Sequence, residues 1–268
     1  MKKTRGIIAI LMVIIIFWEI PIMAMETQTK TGKTEISVFV ESSLRYTMEE
    51  IIIEFQKQYP DTNVFLHTDA TSVLYAQLQE KFACDIILLD SMEVMDELVE
   101  EGIVQKESVT QLLENKIVLI RPEYGKTEVT GFDTLIQASN LALPSENNAI
   151  REYAVEILEN LNIWKNVKWM EIQEGKNTSE VLGDVRAACN EVGIVYATDA
   201  LFASNEVEVI AQAPDELLSA PILYSAALTN QNFSLEQKNA ATNFMRFLQT
   251  ETAEMVFKTY GFIYLERS

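Results

Sequence analysis

Small hydroxyl and amide residues stand directly before four of the helix-like segments of this sequence. They are Ser43, Thr71, the pair Asn147-Asn148, and Thr178. Backbone N–H groups at a helix start are free donors at the positive end of the helix dipole. Several such starts directed at one cleft could therefore hold an anion without any Lys or Arg. For each residue taken alone, the competing interpretation is a simple helix N-cap, worth about 1 kcal/mol.

Catalytic chemistry finds little support in the sequence. The only histidine, His67, lies in a strand-like run, and there is no Gly-x-Ser-x-Gly, His-Glu-x-x-His, Walker or Gly-x-Gly-x-x-Gly motif. Cys84 and Cys189 are far from any Cys-x-x-Cys spacing, which predicts two buried free thiols rather than a metal or redox site. We therefore predict a protein that is not an enzyme, without catalytic residues, cofactor or cation site.

The charge balance and the N-terminus narrow the class of protein. A formal net charge of -19 disfavours nucleic acid and anionic membrane surfaces as partners. The chain opens with basic residues, continues with an apolar run from Gly6 to Trp18, and offers a small-residue cleavage point at Met23-Ala24. This pattern predicts a signal peptide at residues 1–24, because a membrane span needs about 20 apolar residues. We expect a polar tether at 25–34. The protein would be exported, either to the periplasm or to the cell surface. If the N-terminal segment were not cleaved, it would anchor the protein.

Strand-like and helix-like segments alternate along the rest of the chain. Strands are expected at 36–40, 63–67, 85–89, 116–120, 141–143, 169–172, 193–196, 207–210 and 222–228, and helices at 44–59, 72–82, 92–101, 150–161, 179–190, 235–249 and 251–259. Repeated βα units imply mostly parallel sheets, which bind ligands at the carboxyl ends of their strands. Because the pattern starts again near residue 141, we expect two sheets with a cleft between them.

Five segments resemble, in order, the periplasmic molybdate/tungstate-binding protein of ABC transporters, a type II solute-binding protein family. They are Ile36-Ser-Val-Phe-Val-Glu-Ser-Ser-Leu44, the run from Leu74 that ends Ala-Cys-Asp85, Lys116-Ile-Val-Leu-Ile120, Gly193-Ile-Val-Tyr-Ala-Thr-Asp-Ala200 and Tyr260-Gly-Phe262. The resemblance extends over residues 35–264. It implies an α/β, two-lobe type II periplasmic-binding-protein-like fold, with a mostly parallel sheet flanked by helices in each lobe. Lobe one would comprise 35–120 with 222–268, and lobe two 121–221.

The resemblance also implies where and what the protein binds. The implied ligand-binding residues are Ser43 and Thr71 in the first lobe and Ala149, Ile150, Thr178 and Tyr196 in the second. The side chains of Ser43, Thr71 and Tyr196 would contribute hydroxyls, and the other three residues backbone amides. A monomer would capture molybdate or tungstate and deliver it to the membrane permease of an ABC transporter. Sulfate, phosphate or a small organic acid remains open as the ligand, and so does a ligand-sensing module of the same fold.

Two departures from the family pattern bear on the ligand. Glu41 and Asp69 stand two positions before the two first-lobe hydroxyl residues, where small residues are usual. A fully ionised dianion accepts hydrogen bonds only, and a buried carboxylate beside it would cost several kcal/mol unless it were protonated. We therefore expect both carboxylates on the rim of the cleft; a carboxylate among the three hydroxyls would instead favour a ligand that carries a proton. Arg45 and Arg151 are expected to face solvent.

Overall fold

The computed structural model describes residues 32–146 and 148–265 of the chain. Its strands are β1 (Thr34–Glu41), β2 (Thr62–Asp69), β3 (Ile86–Leu89), β4 (Thr110–Asn115), β5 (Ile117–Pro122), β6 (Asn140–Pro144), β7 (Glu171–Gly175), β8 (Val192–Tyr196), β9 (Val207–Gln212), β10 (Ile222–Leu228) and β11 (Ile263–Tyr264). Its α-helices are α1 (Arg45–Gln58), α2 (Thr71–Gln79), α3 (Met92–Glu100), α4 (Ala149–Asn160), α5 (Trp164–Val167), α6 (Thr178–Arg186), α7 (Ala197–Phe202), α8 (Leu235–Phe247) and α9 (Glu251–Thr259).

The strands form two sheets, in agreement with the two-lobe prediction. The first has the order β11-β4-β10-β3-β1-β2, and the second the order β7-β6-β8-β5-β9. Both sheets are mixed rather than mostly parallel. The parallel pairs are β1–β2, β1–β3, β6–β7 and β6–β8, and the pairs made by β10 and β5 are antiparallel. Parallel pairing needs a crossover connection, and the parallel strands are the ones that helices connect.

The chain passes between the sheets at a different residue from the one expected. Strand β4 belongs to the first sheet and β5 to the second, so the crossing lies at Lys116 and the expected boundary at residue 120 is misplaced. The apolar run from Ile117 to Ile120 does not indicate which sheet the strand joins, because a strand buried on both faces has the same sequence pattern in either sheet. Four of the six residues of strand β4 are polar, and the strand was not predicted. The chain returns between Gln212 and Ile222, after which β10 pairs with β3.

Apolar residues of the central strands are buried on both faces of each sheet. In β1, Val38 and Val40 pack in the cluster that contains helices α1, α8 and α9. Phe39, between them, packs with helices α2 and α3 on the opposite face. This alternation follows from the two-residue period of a strand. It fixes the end of β1 between two layers of helices, where polar side chains become buried.

The N-terminal predictions fall almost entirely outside the described residues. The predicted signal peptide, 1–24, and the first seven residues of the tether, 25–31, are not described. The last tether residue, Thr34, already begins β1. In the part of the chain from 32 onward that the structure describes, no helix combines the length and the apolar character needed to cross a membrane.

Candidate functional site

Three side chains at the carboxyl ends of parallel strands lie at the centre of the candidate site. Glu41 ends β1, Asp90 follows β3, and Tyr196 ends β8 in the other sheet. Ligands of open α/β sheets bind at these strand ends, where helices begin. The first two residues are acids of the first sheet and the third is a phenol of the second. Their bonds determine what this place can bind.

Glu41 is buried and holds Ser43. Only 4% of Glu41 is exposed. Its Oε2 accepts hydrogen bonds from the backbone N–H of Ser43, at 2.9 Å, and from the Ser43 hydroxyl, while Oε1 accepts from the Ser42 hydroxyl at 2.6 Å. Burial first, and then the nearby charge of Asp90, raise the pKa of Glu41 to about 8, although the two serine hydrogen bonds oppose this. The predicted rim position of Glu41 is therefore wrong.

Asp90 joins two of the predicted ligand donors to each other. The hydroxyl of Thr71 donates to Asp90 Oδ1 at 2.6 Å, and the hydroxyl of Tyr196 donates to Oδ2 at 2.5 Å. Asp90 is 2% exposed, and this burial raises its pKa against the opposing effect of the two hydrogen bonds. Thr71 begins α2, directly after β2 of the first sheet, and Tyr196 ends β8 of the second, so one carboxyl group connects the two lobes.

Tyr224 bonds to Ser43 and lies beside Tyr196. The Tyr224 and Ser43 hydroxyl oxygens are 2.8 Å apart, and the Tyr224 ring lies 6.0 Å from the ring of Tyr196. Asn115 donates through Nδ2 to the Tyr224 hydroxyl at 3.2 Å and to Oγ1 of Thr198 at 2.9 Å. Ser43 therefore belongs to one hydrogen-bonded group and Thr71 and Tyr196 to another, and the two groups meet where the rings of Tyr196 and Tyr224 are in contact.

The other predicted second-lobe ligand residues, Ala149, Ile150 and Thr178, lie at helix starts but make none of these hydrogen bonds. Thr178 begins α6, and its buried Oγ1 has no hydrogen-bond partner in the part of the chain that the structure describes. It is close enough to Asp199 to lower that carboxyl's pKa, although the larger effect of burial raises the value to about 7. Ala149 begins α4 and lines a cavity of about 200 Å³ together with Thr71, whereas Ile150 is buried in the core. Ser43 lines a different cavity, of about 130 Å³.

The hydroxyls at these helix starts are not capping groups. The N-cap positions of α1, α2, α4 and α6 are Leu44, Ala70, Asn148 and Asn177. Of these four, only Asn177 makes a capping bond, to the N–H of Glu180. The hydroxyls of Ser43 and Thr71 are therefore engaged with carboxylates rather than with their own helices. The capping interpretation does not account for them.

The remaining expectations about charged groups are met only in part. Asp69 is half-buried and accepts a hydrogen bond from the N–H of Ala70 at 2.8 Å. Arg45 has 57% of its side chain exposed, as expected. Arg151 does not face solvent: it is buried, donates to the Pro144 carbonyl at 3.1 Å and lies over the Trp164 ring. Arg151 lies in the first turn of α4, and its bond to Pro144 joins this turn to the end of β6.

Both cysteines are free, but only one is buried. Cys84 is buried, whereas Cys189 is exposed because α6 ends at Arg186 and leaves it in the following turn. Among residues 32–146 and 148–265, no three His, Cys, Asp or Glu side chains are grouped so as to hold a metal ion.

Sequence reasoning missed Asp90, Tyr224 and Asn115. Asp90 carried a usable signal, because it directly follows the buried run from residue 85 to 89 and therefore lies at a strand's carboxyl end. Tyr224 and Asn115 lie within or at the end of strands whose pairing the sequence does not reveal. No local pattern distinguishes them from core residues.

Comparison with known proteins places these features in context. The family described as bacterial extracellular solute-binding protein matches residues 36–263. A Bacillus subtilis protein, YvgL, named as a candidate ABC transporter substrate-binding lipoprotein, is 28% identical over 86% of each chain. The molybdate-binding protein ModA of Haemophilus influenzae is 27% identical over 86% of this chain and 91% of its own. The solved periplasmic molybdate-binding protein of Azotobacter vinelandii superposes with a TM-score of 0.74 at 16% identity, covering 87% of this chain and all of that one.

Proposed function

Because this chain belongs to the bacterial extracellular solute-binding protein family, we propose that it captures a small tetrahedral oxyanion, molybdate or tungstate, for an ABC transporter. The names of two relatives support the two halves of this proposal. One relative is named for substrate binding in an ABC transporter, and the other is named for binding molybdate. The two sheets with their helices would be the two lobes of the binding protein.

The observation that carries the proposal is the convergence of three hydroxyl donors from both sheets. Ser43 and Thr71 approach from the first sheet, and Tyr196 approaches from the second. In the structure, all three donate to carboxylate oxygens, which are themselves anionic acceptors when ionised. A bound oxyanion could take over the same donors, and the amide ends of α4 and α6 would add others from the second lobe.

Export and delivery follow from the same family membership. The family is described as extracellular, which supports an exported protein. We propose that residues 1–24 direct export and that a monomer delivers the anion to a membrane permease. In this role the protein binds its ligand without converting it chemically. Retention of residues 1–24 would anchor the protein at the membrane.

A calorimetric titration tests the proposal directly. The purified protein is titrated at pH 6 with sodium molybdate, tungstate, sulfate and phosphate in parallel. We expect saturable binding with one anion per chain, and tighter binding of molybdate or tungstate than of sulfate. If none of the four anions binds, the oxyanion function is wrong. If sulfate binds most tightly, the choice of molybdate or tungstate is wrong.

A protonated oxyanion such as hydrogen phosphate is the second candidate ligand. The buried carboxyl groups of Glu41 and Asp90 favour it, because a carboxylate can accept a proton that the ligand brings. A preference for phosphate over molybdate in the titration would identify this alternative.

A further inference from the structure

Two acids at the centre of the site have no basic partner. Glu41 and Asp90 are both buried, and none of the ion pairs within the described residues includes either of them. A carboxylate buried without a compensating charge tends to take up a proton. The environment of these two groups therefore favours a carboxylic acid over a carboxylate.

The other titratable groups around the two acids are acidic or phenolic. Asp199, Tyr196 and Tyr224 interact electrostatically with Glu41. Around Asp90 the corresponding groups are Asp199, Tyr196, Tyr224, Glu152 and Tyr153. The Tyr153 hydroxyl donates to the Asp90 carbonyl at 3.0 Å. Loss of a proton from any of these groups would increase the negative charge. None of them can neutralise an ionised Glu41–Asp90 pair.

The same acids accept hydrogen bonds from the donors that an anion would need. Ser43 donates to Glu41, and Thr71 and Tyr196 donate to Asp90. If both acids stayed ionised, an incoming oxyanion would compete for the donors and would also be repelled at close range. A protonated carboxyl group behaves differently, because it can donate one hydrogen bond to an oxyanion. Protonation thus changes each acid from a competitor of the ligand into a donor to it.

We propose that Glu41 and Asp90 determine the specificity of this site by binding the oxyanion together with at least one proton. This inference rests on the proposed function, since it concerns the same site. The proton can come from either of two sources. Molybdate is a fully ionised dianion near neutral pH, so its proton would come from solvent. Hydrogen phosphate carries a proton of its own and would share it with a carboxylate.

Proton counting by calorimetry distinguishes the two sources. Molybdate and inorganic phosphate are each titrated into the protein between pH 6 and pH 9, in pairs of buffers that differ in their enthalpy of ionisation. For molybdate at pH 9 we expect net uptake of at least one proton. The affinity should fall about tenfold per pH unit for each proton taken up. For phosphate we expect less proton uptake and a shallower pH profile.

Amide substitutions remove the titration but keep a hydrogen-bond donor. In the double variant Glu41→Gln with Asp90→Asn, molybdate affinity should fall less steeply between pH 6 and pH 9 than in the unmodified protein, with Asp199 as the remaining buried acid that titrates in this range. At pH 9 this affinity should be at least about tenfold higher than that of the unmodified protein. Glu35→Gln is the matched control, because Glu35 is an exposed residue of the same strand, β1. This control should retain the full pH dependence.

The outcomes separate this inference from the function it rests on. If the unmodified protein binds molybdate with the same affinity from pH 6 to pH 9 and without proton uptake, the inference is overturned and the oxyanion function stands. If no oxyanion binds at any pH, both are overturned. The unmodified protein is sufficient for this decision, even if the double variant does not fold.

Discussion

Tyr196 donates a hydrogen bond to Asp90 across the boundary between the two sheets, with 2.5 Å between the phenol oxygen and Oδ2. Asp90 follows β3 of the first sheet, and Tyr196 ends β8 of the second. Because Asp90 also accepts from Thr71, one buried carboxyl group accepts hydrogen bonds from both lobes.

Replacing Tyr196 with Phe removes the second-lobe hydroxyl while keeping the ring. A hydrogen bond to a charged acceptor contributes about 1.5–3 kcal/mol, so we expect molybdate to bind roughly ten- to hundred-fold more weakly. Calorimetric titration at pH 6 measures this change. Tyr124→Phe is the matched control, since Tyr124 is 94% exposed, and it should bind as the unmodified protein does. Equal molybdate affinities of the two variants would show that the Tyr196 hydroxyl does not bind the anion.

Thr71 provides a test that separates the hydroxyl from the shape of the side chain. Thr71→Val retains a branched side chain of similar size but cannot donate to Asp90 or to a ligand, so we expect a roughly ten- to hundred-fold loss of molybdate affinity. Thr71→Ser keeps the hydroxyl and should restore most of the binding. Titrations of both variants under one set of conditions decide the point. A Val variant that binds as well as the Ser variant would show that the Thr71 hydroxyl makes no contact with the anion.

Salt should affect ligand affinity only weakly. All the proposed donors are hydroxyls, backbone amides or protonated carboxyl groups, none of them a cation, and buried hydrogen bonds are poorly screened, so the dissociation constant should change by less than about twofold between 0.1 and 0.5 M NaCl. Any small change should be towards tighter binding, because salt screens the repulsion between the anion and a chain of net charge -19. A large loss of affinity in salt would point to a Lys or Arg at the ligand.

The order of elements could be read from the sequence because it depends on local patterns. Strand β10, at 222–228, and helix α9, at 251–259, have the predicted bounds. The assignment of strands to sheets depends on long-range pairing, and there the prediction failed for β5. The run from Ile117 to Ile120 is apolar throughout, so nothing in it indicates its partners, β8 and β9.

The site could be predicted as a set of donors but not as a network. Ser43, Thr71 and Tyr196 were identified from the sequence; the structure places Thr71 and Tyr196 on Asp90, and Ser43 on Glu41. Glu41 was assigned to the rim because a buried carboxylate beside a dianion would be costly, and alternation along β1 does not determine its direction, since the chain turns there. Asp90 was missed although its position at a strand end marked it. The sequence therefore did not predict the buried positions of Glu41 and Asp90, the two acids of the site.

Packing behind the second-lobe residues can be tested with two glycines. A Cβ on Gly193, in β8, would lie 2.6 Å from Cγ2 of Val185 in α6, so Gly193→Ala should destabilise the fold by about 1–3 kcal/mol through overpacking. Gly183 lies within α6 with open space around it, and Gly183→Ala should instead stabilise the protein by up to about 1 kcal/mol. Urea denaturation of both variants measures the difference. If Gly193→Ala is as stable as the unmodified protein, the packing of α6 against β8 is looser than described.

The buried acids also predict how the stability of the ligand-free protein depends on pH. Unfolded Glu41 ionises near its ordinary pKa of 4.5, whereas the folded chain retains the proton up to about pH 8. Between these values the folded state binds more protons than the unfolded state, so the free energy of unfolding should fall as the pH rises, by up to about 1.4 kcal/mol per pH unit for each such group. Asp90 and Asp199 have raised pKa values and act in the same direction.

Glu41→Gln removes one of these contributions. Its free energy of unfolding should therefore depend less steeply on pH than that of the unmodified protein, and the two curves should diverge progressively from pH 5 to pH 8. Urea denaturation at pH 5, 6, 7 and 8 measures both curves, and the exposed control Glu35→Gln should follow the unmodified protein. Parallel curves for Glu41→Gln and the unmodified protein would mean that Glu41 is ionised in the folded chain. The acid pair would then have to be compensated by a positive charge that the described residues do not supply.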